Sequence, residues 1–363
     1  MTMTSFWWVP LWVLVGGITI PRFFGYKNRL GEAAQQYWDV VPALLLVLPM
    51  IIFAGFRSDY VGDTALYRKL YLTQEPDIQI GIDAYVNDEK DPGYIVFSVL
   101  MKMLIGNRDQ LFFLIIAAFQ MISITLVFRK YTPEFWTCIF LFICSTDYIS
   151  WMHNGIRQFI AVAIIFAGFK FLLEKRYIPM VLLILLAAQF HGSALLMIPI
   201  IFIVQGKAWN FKTLLTLAAT IVVMAYVDQL SPVLNDLLVD TQYDDVMNNE
   251  IWVVDDGANV LRVAVYSIPA VMSLLGLKYI READDPMINL CVNCSIVTMA
   301  LYLVAMVSSG IYVGRLPIYT TLYGYIALPW MIQRIFDKHS AKLICYIMYG
   351  AYAVFFYYQT MFA

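Results

Sequence analysis

Long apolar runs separated by short polar segments recur from one end of the chain to the other, and this pattern predicts helices that cross a bilayer. A crossing helix needs about 20 apolar residues. Ten stretches come close: Phe6 to Ile20, Trp38 to Phe56, Gln110 to Phe128, Phe135 to Ser150, Gly155 to Leu173, Phe211 to Val227, Leu261 to Ile280, Met287 to Val307, Leu316 to Ile332 and Ala341 to Phe362. Two further pieces do not fit. Segment 93–106 is too short and carries Lys102, while 178–204 is too long for one upright helix and is interrupted at Gln189, His191 and Gly192. The predicted fold is all-α: a polytopic membrane protein of about ten full transmembrane helices plus these short or broken segments. It forms one transmembrane domain over 1–363, with extracytoplasmic loops expected at 57–92 and 228–260.

Lys and Arg in short loops stay on the cytoplasmic side. Arg22, Lys27 and Arg29 put the first loop inside, and with it the loop after Phe56 outside. Arg129/Lys130, Lys175/Arg176, Lys278/Arg281 and Arg334/Lys338/Lys342 mark further inside loops, whereas Asp228 to Val260 holds eight acids and no Lys or Arg. These assignments agree only if 178–204 enters and leaves on one side, because Arg176 precedes it and Lys207/Lys212 follow. Two half-helices meeting near Phe190-His191-Gly192 satisfy that. Non-helical backbone at such depth is tolerated only where protein buries it or water reaches it, so the break points to a cavity. One strongly tilted helix is the alternative, and it places Lys207 outside.

Composition then excludes whole classes. With 61% hydrophobic and 14% charged residues, the chain has about half the charge of an ordinary soluble domain. Twenty-four basic against 26 acidic residues give no basic face, so nucleic acid is not expected as a partner. The five cysteines all fall in apolar stretches; Cys291 and Cys294 read as packed thiols, with no histidine within forty residues to complete a zinc site. The first apolar run lacks the basic start and small-residue exit of a cleaved signal peptide and is expected to remain as a span. No HExxH, Walker-type loop, GxGxxG or GxSxG occurs, and no metal or cofactor is expected.

Four arginines stand against the positive-inside bias, at the outer ends of spans: Arg57, Arg157, Arg262 and Arg315. An ionisable residue at such depth is costly and calls for a partner. The planar guanidinium fork suits phosphate, so the simplest shared partner is a phosphorylated lipid reached from the outer leaflet; snorkelling to headgroups is the plain alternative. Arg157 lies one turn after His153, which predicts that the two share a helix face, and it sits near the positive end of its helix. His191, at the suspected break, is either a packed histidine or a neutral base for a sugar hydroxyl. Asp59 and Asp63 either bind sugar, act as base, or simply pair with Arg57; Asp147 is a further candidate of that kind. His339 lies in a basic inside loop, and Gly310-x-x-x-Gly314 beside Arg315 reads as a helix-packing signal.

These residues fall into an order that resembles the EpsG/Wzy-type integral-membrane polymerases of bacterial exopolysaccharide, capsule and O-antigen. The resemblance is carried by Gly62-Asp63-Thr64 with Tyr67 and Tyr71, by Asp91-Pro92-Gly93-Tyr94, and by Asn154-Gly155-Ile156-Arg157-Gln158-Phe159-Ile160-Ala161. It continues in Phe190-His191-x-Ser193-Ala194-Leu195 ending at Pro199, and in Gly314-Arg315-Leu316 with Tyr319. It implies a GT-C-like architecture in the bacterial plasma (inner) membrane, with the site facing the periplasm or exterior. It also implies a glycosyltransferase that joins oligosaccharide repeat units carried on undecaprenyl pyrophosphate. An acceptor hydroxyl attacks the anomeric carbon of the donor and the lipid pyrophosphate leaves, which asks the protein mainly for electrostatic stabilisation and positioning. Arg157, Arg315 and Arg57 then supply positive charge and His191 or Asp63 the base. Asp59, His153, Gln158, Arg262 and Tyr319 complete the expected substrate contacts, and a chain-length regulator is a candidate partner. The competing readings are a flippase or other transporter of lipid-linked oligosaccharide, and a single-addition or O-acylating transferase.

Overall fold

Asp39, Asp77, Asn210, Asn259 and Asp285 each accept from backbone N–H groups one to three residues further on, and so set the start of a helix just ahead of an apolar run. The computed structural model describes residues 6–24, 27–28, 36–226, 257–308, 310 and 313–362. Its helices run in the order α1 (Trp8–Phe24), α2 (Val40–Gly55), α3 (Thr64–Thr73), α4 (Ile78–Val86), α5 (Pro92–Ile105), α6 (Asp109–Tyr131), α7 (Phe135–Cys144) and α8 (Asp147–Ile149). A π-turn over Ser150–Asn154 leads to α9 (Ile156–Ala167), α10 (Phe169–Leu173) and α11 (Tyr177–Ala188), and a tighter 3-10 turn over Gly192–Leu196 to α12 (Met197–Ile203). Then follow α13 (Phe211–Ala225), α14 (Val260–Leu275), α15 (Leu277–Ala283), α16 (Pro286–Val307), a 3-10 turn at Val313–Arg315, α17 (Ile318–Ile335) and α18 (Lys338–Phe362). Lys27–Asn28 and Gln36–Tyr37 form a two-residue antiparallel pairing.

The fold is thus all-α, but the ten full spans emerge only in part. By length and apolarity α6, α16 and α18 qualify; the bent pairs Phe135–Cys144 with Asp147–Asn154 (72°) and α14 with α15 (69°) raise the candidates to five. Other stretches read as full spans become shorter apolar helices, among them α2 with 16 residues, α9 with 12 and α13 with 15. Glycine is one physical reason. At Gly168, where α9 gives way to α10, an added Cβ would lie 2.7 Å from Leu183 Cδ1, so the helix is interrupted at a close packing point where hydropathy alone reads on. The expected loop 57–92 is largely helical, holding α3 and α4, while most of 228–260 lies outside the described residues. Gly310 falls in the turn after α16, where its missing Cβ lets it approach the Gly257 carbonyl; the Gly310-x-x-x-Gly314 spacing is therefore not a helix-packing motif.

The chain divides into two compact units, Met1–Leu195 with Phe336–Ala363, and Leu196–Ile335. In the first, α6 packs on α2 and α9, α9 on α11, and α7 on α1 and α18. In the second, α16 is central to α13, α14 and α17. Two asparagines one turn apart on α16 hold the loop after α12. Asn289 Oδ1 accepts from Ala208 N (2.9 Å) and Asn293 Oδ1 from Trp209 N (3.2 Å), while Asn293 Nδ2 donates to the carbonyls of Val204, Gly206 and Lys207. Buried amides in an apolar helix are thereby satisfied by a loop that would otherwise leave its own backbone groups unpaired.

Candidate functional site

Four sequence segments that lie far apart along the chain converge in the first unit. The segment that opens α5 begins with Asp91, a left-handed residue (φ 57, ψ 51) that is only 4% exposed. An Asp before a helix-opening proline ordinarily caps its own helix. Asp91 makes no such bond: Oδ2 accepts from Arg157 Nη1 at 3.4 Å and Oδ1 from the backbone N of Gly192 at 3.3 Å. Beside it, Gly93 lies so close to the end of α11 that an added Cβ would sit 2.5 Å from Gln189 Cβ, and Tyr94 N donates to Gln189 O (3.3 Å). Asp-Pro-Gly-Tyr is thus a docking piece for the helix break. The break itself falls where the sequence puts it, α11 ending at Ala188 and the chain resuming as a 3-10 turn at Gly192.

Arg157 is the second residue of α9, with its guanidinium over the rings of Tyr94 (4.5 Å) and Tyr67 (5.5 Å). Its position at a helix start agrees with expectation, but the shared helix face with His153 does not. His153 belongs to the π-turn, and Gly155 separates it from α9. His153 is 1% exposed, set edge-on to Phe6 and Tyr148, with Nδ1 3.2 Å from the Tyr148 carbonyl. Gly62, at φ +54, packs against the same turn: an added Cβ would lie 2.9 Å from His153 O, and this puts Asp63 at the start of α3 beside residues 153–154. At the break, His191 Nδ1 and Ser193 Oγ lie 2.7 Å apart, and Gln158 Nε2, from the residue after Arg157, donates to the same hydroxyl at 3.4 Å.

Arg57 is 2% exposed. Its Nε and Nη1 donate to the carbonyls of Ala54 and Met152 at 2.5 Å, and its plane lies 4.8 Å over Phe113. Among the described residues no carboxylate lies within ion-pair distance of it. The pairing of Asp59 with Arg57 therefore does not form. Asp59 pairs instead with Arg68, whose Nε donates to Asp109 at 2.6 Å and whose Nη2 donates to Arg57 O at 3.0 Å. Lys102, unexplained by the sequence, donates to Tyr71 O and Leu72 O (2.9 Å each) and so caps the last turn of α3. Asp147 is buried and accepts from Trp151 Nε1 at 3.0 Å.

Arg262, Arg315 and Tyr319 belong to the second unit. Arg262 lies over the Tyr266 ring (5.8 Å), Arg315 closes the 3-10 turn before α17, and Tyr319 is buried in α17. Sequence reasoning missed Asp91, Tyr94 and Arg68 as site residues. For Asp91 and Tyr94 the signal was there in the Asp91-Pro92-Gly93-Tyr94 motif, which carried the resemblance but was given no role; Arg68 had no such signal.

Apolar helices around an interior cluster of arginine, aspartate and histidine define a helical membrane protein with a polar site at a broken helix. The model of the EpsG family, the Wzy-type exopolysaccharide polymerases, matches residues 40–363, and the chain belongs to that family. Searches of curated proteins and of solved structures gave no significant match.

Proposed function

We propose that this protein polymerises oligosaccharide repeat units carried on undecaprenyl pyrophosphate, acting as a glycosyltransferase at the outer face of a bacterial plasma membrane. Family membership supports the polymerase role. The observation that carries the site is the meeting of Arg157, Asp91 and the His191 turn, with a buried guanidinium, Arg57, that pairs with no carboxylate among the described residues. An uncompensated cation in an apolar interior is costly and favours an anionic ligand nearby.

In this reading the acceptor hydroxyl attacks the anomeric carbon, the bond from that carbon to the pyrophosphate oxygen breaks, and the electron pair leaves with the lipid pyrophosphate. Arg157 takes up the charge gathering on the leaving group while Asp91 holds one arm of its guanidinium, and buried Arg57 adds positive potential. His191 accepts the hydroxyl proton at the ring nitrogen turned away from Ser193, with Asp63 the alternative base. Half-buried Tyr67 is the proposed ring contact to a sugar, while buried Tyr94 backs the Arg157 guanidinium. On the second unit Arg262 and Arg315 are proposed glycan contacts, whereas Tyr319 is buried in α17; a chain-length regulator is a proposed partner.

Purified protein given lipid-linked repeat units should yield a ladder of lengthened glycans. Movement of lipid without lengthening would instead establish a transporter, and a single added sugar or acetyl group another transferase. Arg157→Lys should lower turnover about 100-fold or more with folding retained, because an ammonium cannot copy the fork that Asp91 holds. Wild-type turnover in that variant would remove Arg157 from the site.

A further inference from the structure

Directly along α9 from Arg157, at the third and seventh residues on, stand Ile160 and Ile164, which share its face of the helix about 4.5 and 10.5 Å along the axis. Both line a cleft of about 210 Å³, walled by Ile115 and Phe119 of α6, Phe97 of α5 and Phe190 of the helix break. Every lining side chain is apolar, and the mouth is marked by Phe119, which is 42% exposed. The polar cluster adjoins the cleft through a chain of packed rings. Arg157 lies over Tyr94, Tyr94 is 6.5 Å from Phe97, Phe97 is 6.2 Å from Phe190, and His191 follows.

We infer that this cleft seats the first isoprene units of the lipid carrier, with the pyrophosphate head at Arg157. The inference rests on the lipid-linked reading above and goes beyond it by assigning the tail a place. The occupant must be apolar where it meets the isoleucines and anionic about one turn higher, which a polyprenyl pyrophosphate satisfies and a free sugar phosphate does not. An apolar cavity of about 150 Å³ takes up a six-carbon ring, so the volume suits one five-carbon unit and part of the next. Lipid tails are as apolar as the cleft. The cleft therefore contributes less to affinity in a bilayer than to placement, bringing the anomeric carbon to a fixed distance from His191.

The test is binding of geranylgeranyl pyrophosphate and of inorganic pyrophosphate to the purified full-length protein in detergent. Ile164→Trp fills the cleft and should weaken geranylgeranyl pyrophosphate about tenfold or more while leaving inorganic pyrophosphate unchanged. Unchanged affinity for the prenyl compound overturns the inference, as does a wild-type protein that binds the prenyl compound no better than pyrophosphate. Should Ile164→Trp lose both ligands, Ile115→Ala and Phe119→Ala decide: selective loss of the prenyl compound supports the cleft, and no loss overturns it. Displacement by phosphatidylglycerol as effective as by the prenyl compound would mean that bulk lipid fills the cleft, which also overturns the inference. A protein that binds the prenyl compound through the cleft yet lengthens no glycan leaves this inference standing and removes only the polymerase reading.

Discussion

A left-handed backbone costs an L-residue roughly 1–2 kcal/mol, and a buried carboxylate costs more unless it is paired. Asp91 bears the first cost and offsets the second, its two oxygens going to Arg157 and to the Gly192 N–H, and it caps nothing on its own helix. Strain held at such a position points to function rather than to stability. Asn occupies left-handed backbone as readily as Asp and can still accept from Gly192, so Asp91→Asn removes charge and little else. We expect its thermal midpoint to stay near wild type and its turnover to fall about tenfold or more as Arg157 loses its anchor. Paired measurements of unfolding and glycan lengthening check this, and unchanged turnover would reduce the Arg157–Asp91 pair to packing. At this scale the sequence was informative for Arg157 and His191, which stand out as charge and polarity in apolar runs. It was silent on Arg68, whose partners Asp59 and Asp109 are set by how α3 meets the start of α6.

Between residue and molecule, the site depends on how closely two pieces of chain approach. The break after α11 was legible because Gln189, His191 and Gly192 interrupt an apolar run. Its docking partner was not, because nothing in hydropathy says that the start of α5 must touch Gln189; only the missing Cβ of Gly93 permits it. Gly93→Ala places a methyl 2.5 Å from Gln189 Cβ and 2.9 Å from Gln189 O, and backbone must yield. Such overpacking costs about 1–3 kcal/mol. We expect a lower thermal midpoint together with a turnover loss comparable to that of Asp91→Asn, since Asp91 moves with its helix. A lower midpoint with full turnover would separate the docking of α5 from the chemistry. Helix boundaries were the least legible feature. The π-turn at Ser150–Asn154 and the interruption at Gly168 both break runs that a window of apolar residues joins.

Seen whole, the molecule poses the question of sidedness, and its basic residues give a definite expectation. Helix α5 has 14 residues, roughly 21 Å, short of a 30 Å hydrocarbon core. Both its ends are tied to elements of the polar cluster, Asp91 to Arg157 at one and Lys102 to the last turn of α3 at the other. With α5 not crossing, Glu89 is expected on the side of the site, and three expected crossings, by α6, the bent α7–α8 pair and the shorter apolar run α9–α10, would carry the chain to Glu174 on the other. By the positive-inside rule the Glu174–Lys175–Arg176 side is expected to be cytoplasmic. Glu89 and Glu174 are both exposed, and four of the five native cysteines are buried, so single added cysteines report cleanly over a background from Cys345. In intact cells, with the outer membrane opened where there is one, a membrane-impermeant maleimide should label Glu89→Cys at once. Glu174→Cys should label only after the plasma membrane is permeabilised. The reverse pattern would put Arg157, Asp91 and His191 on the cytosolic side, where glycans already exported could not reach them, and the outward polymerase would be excluded.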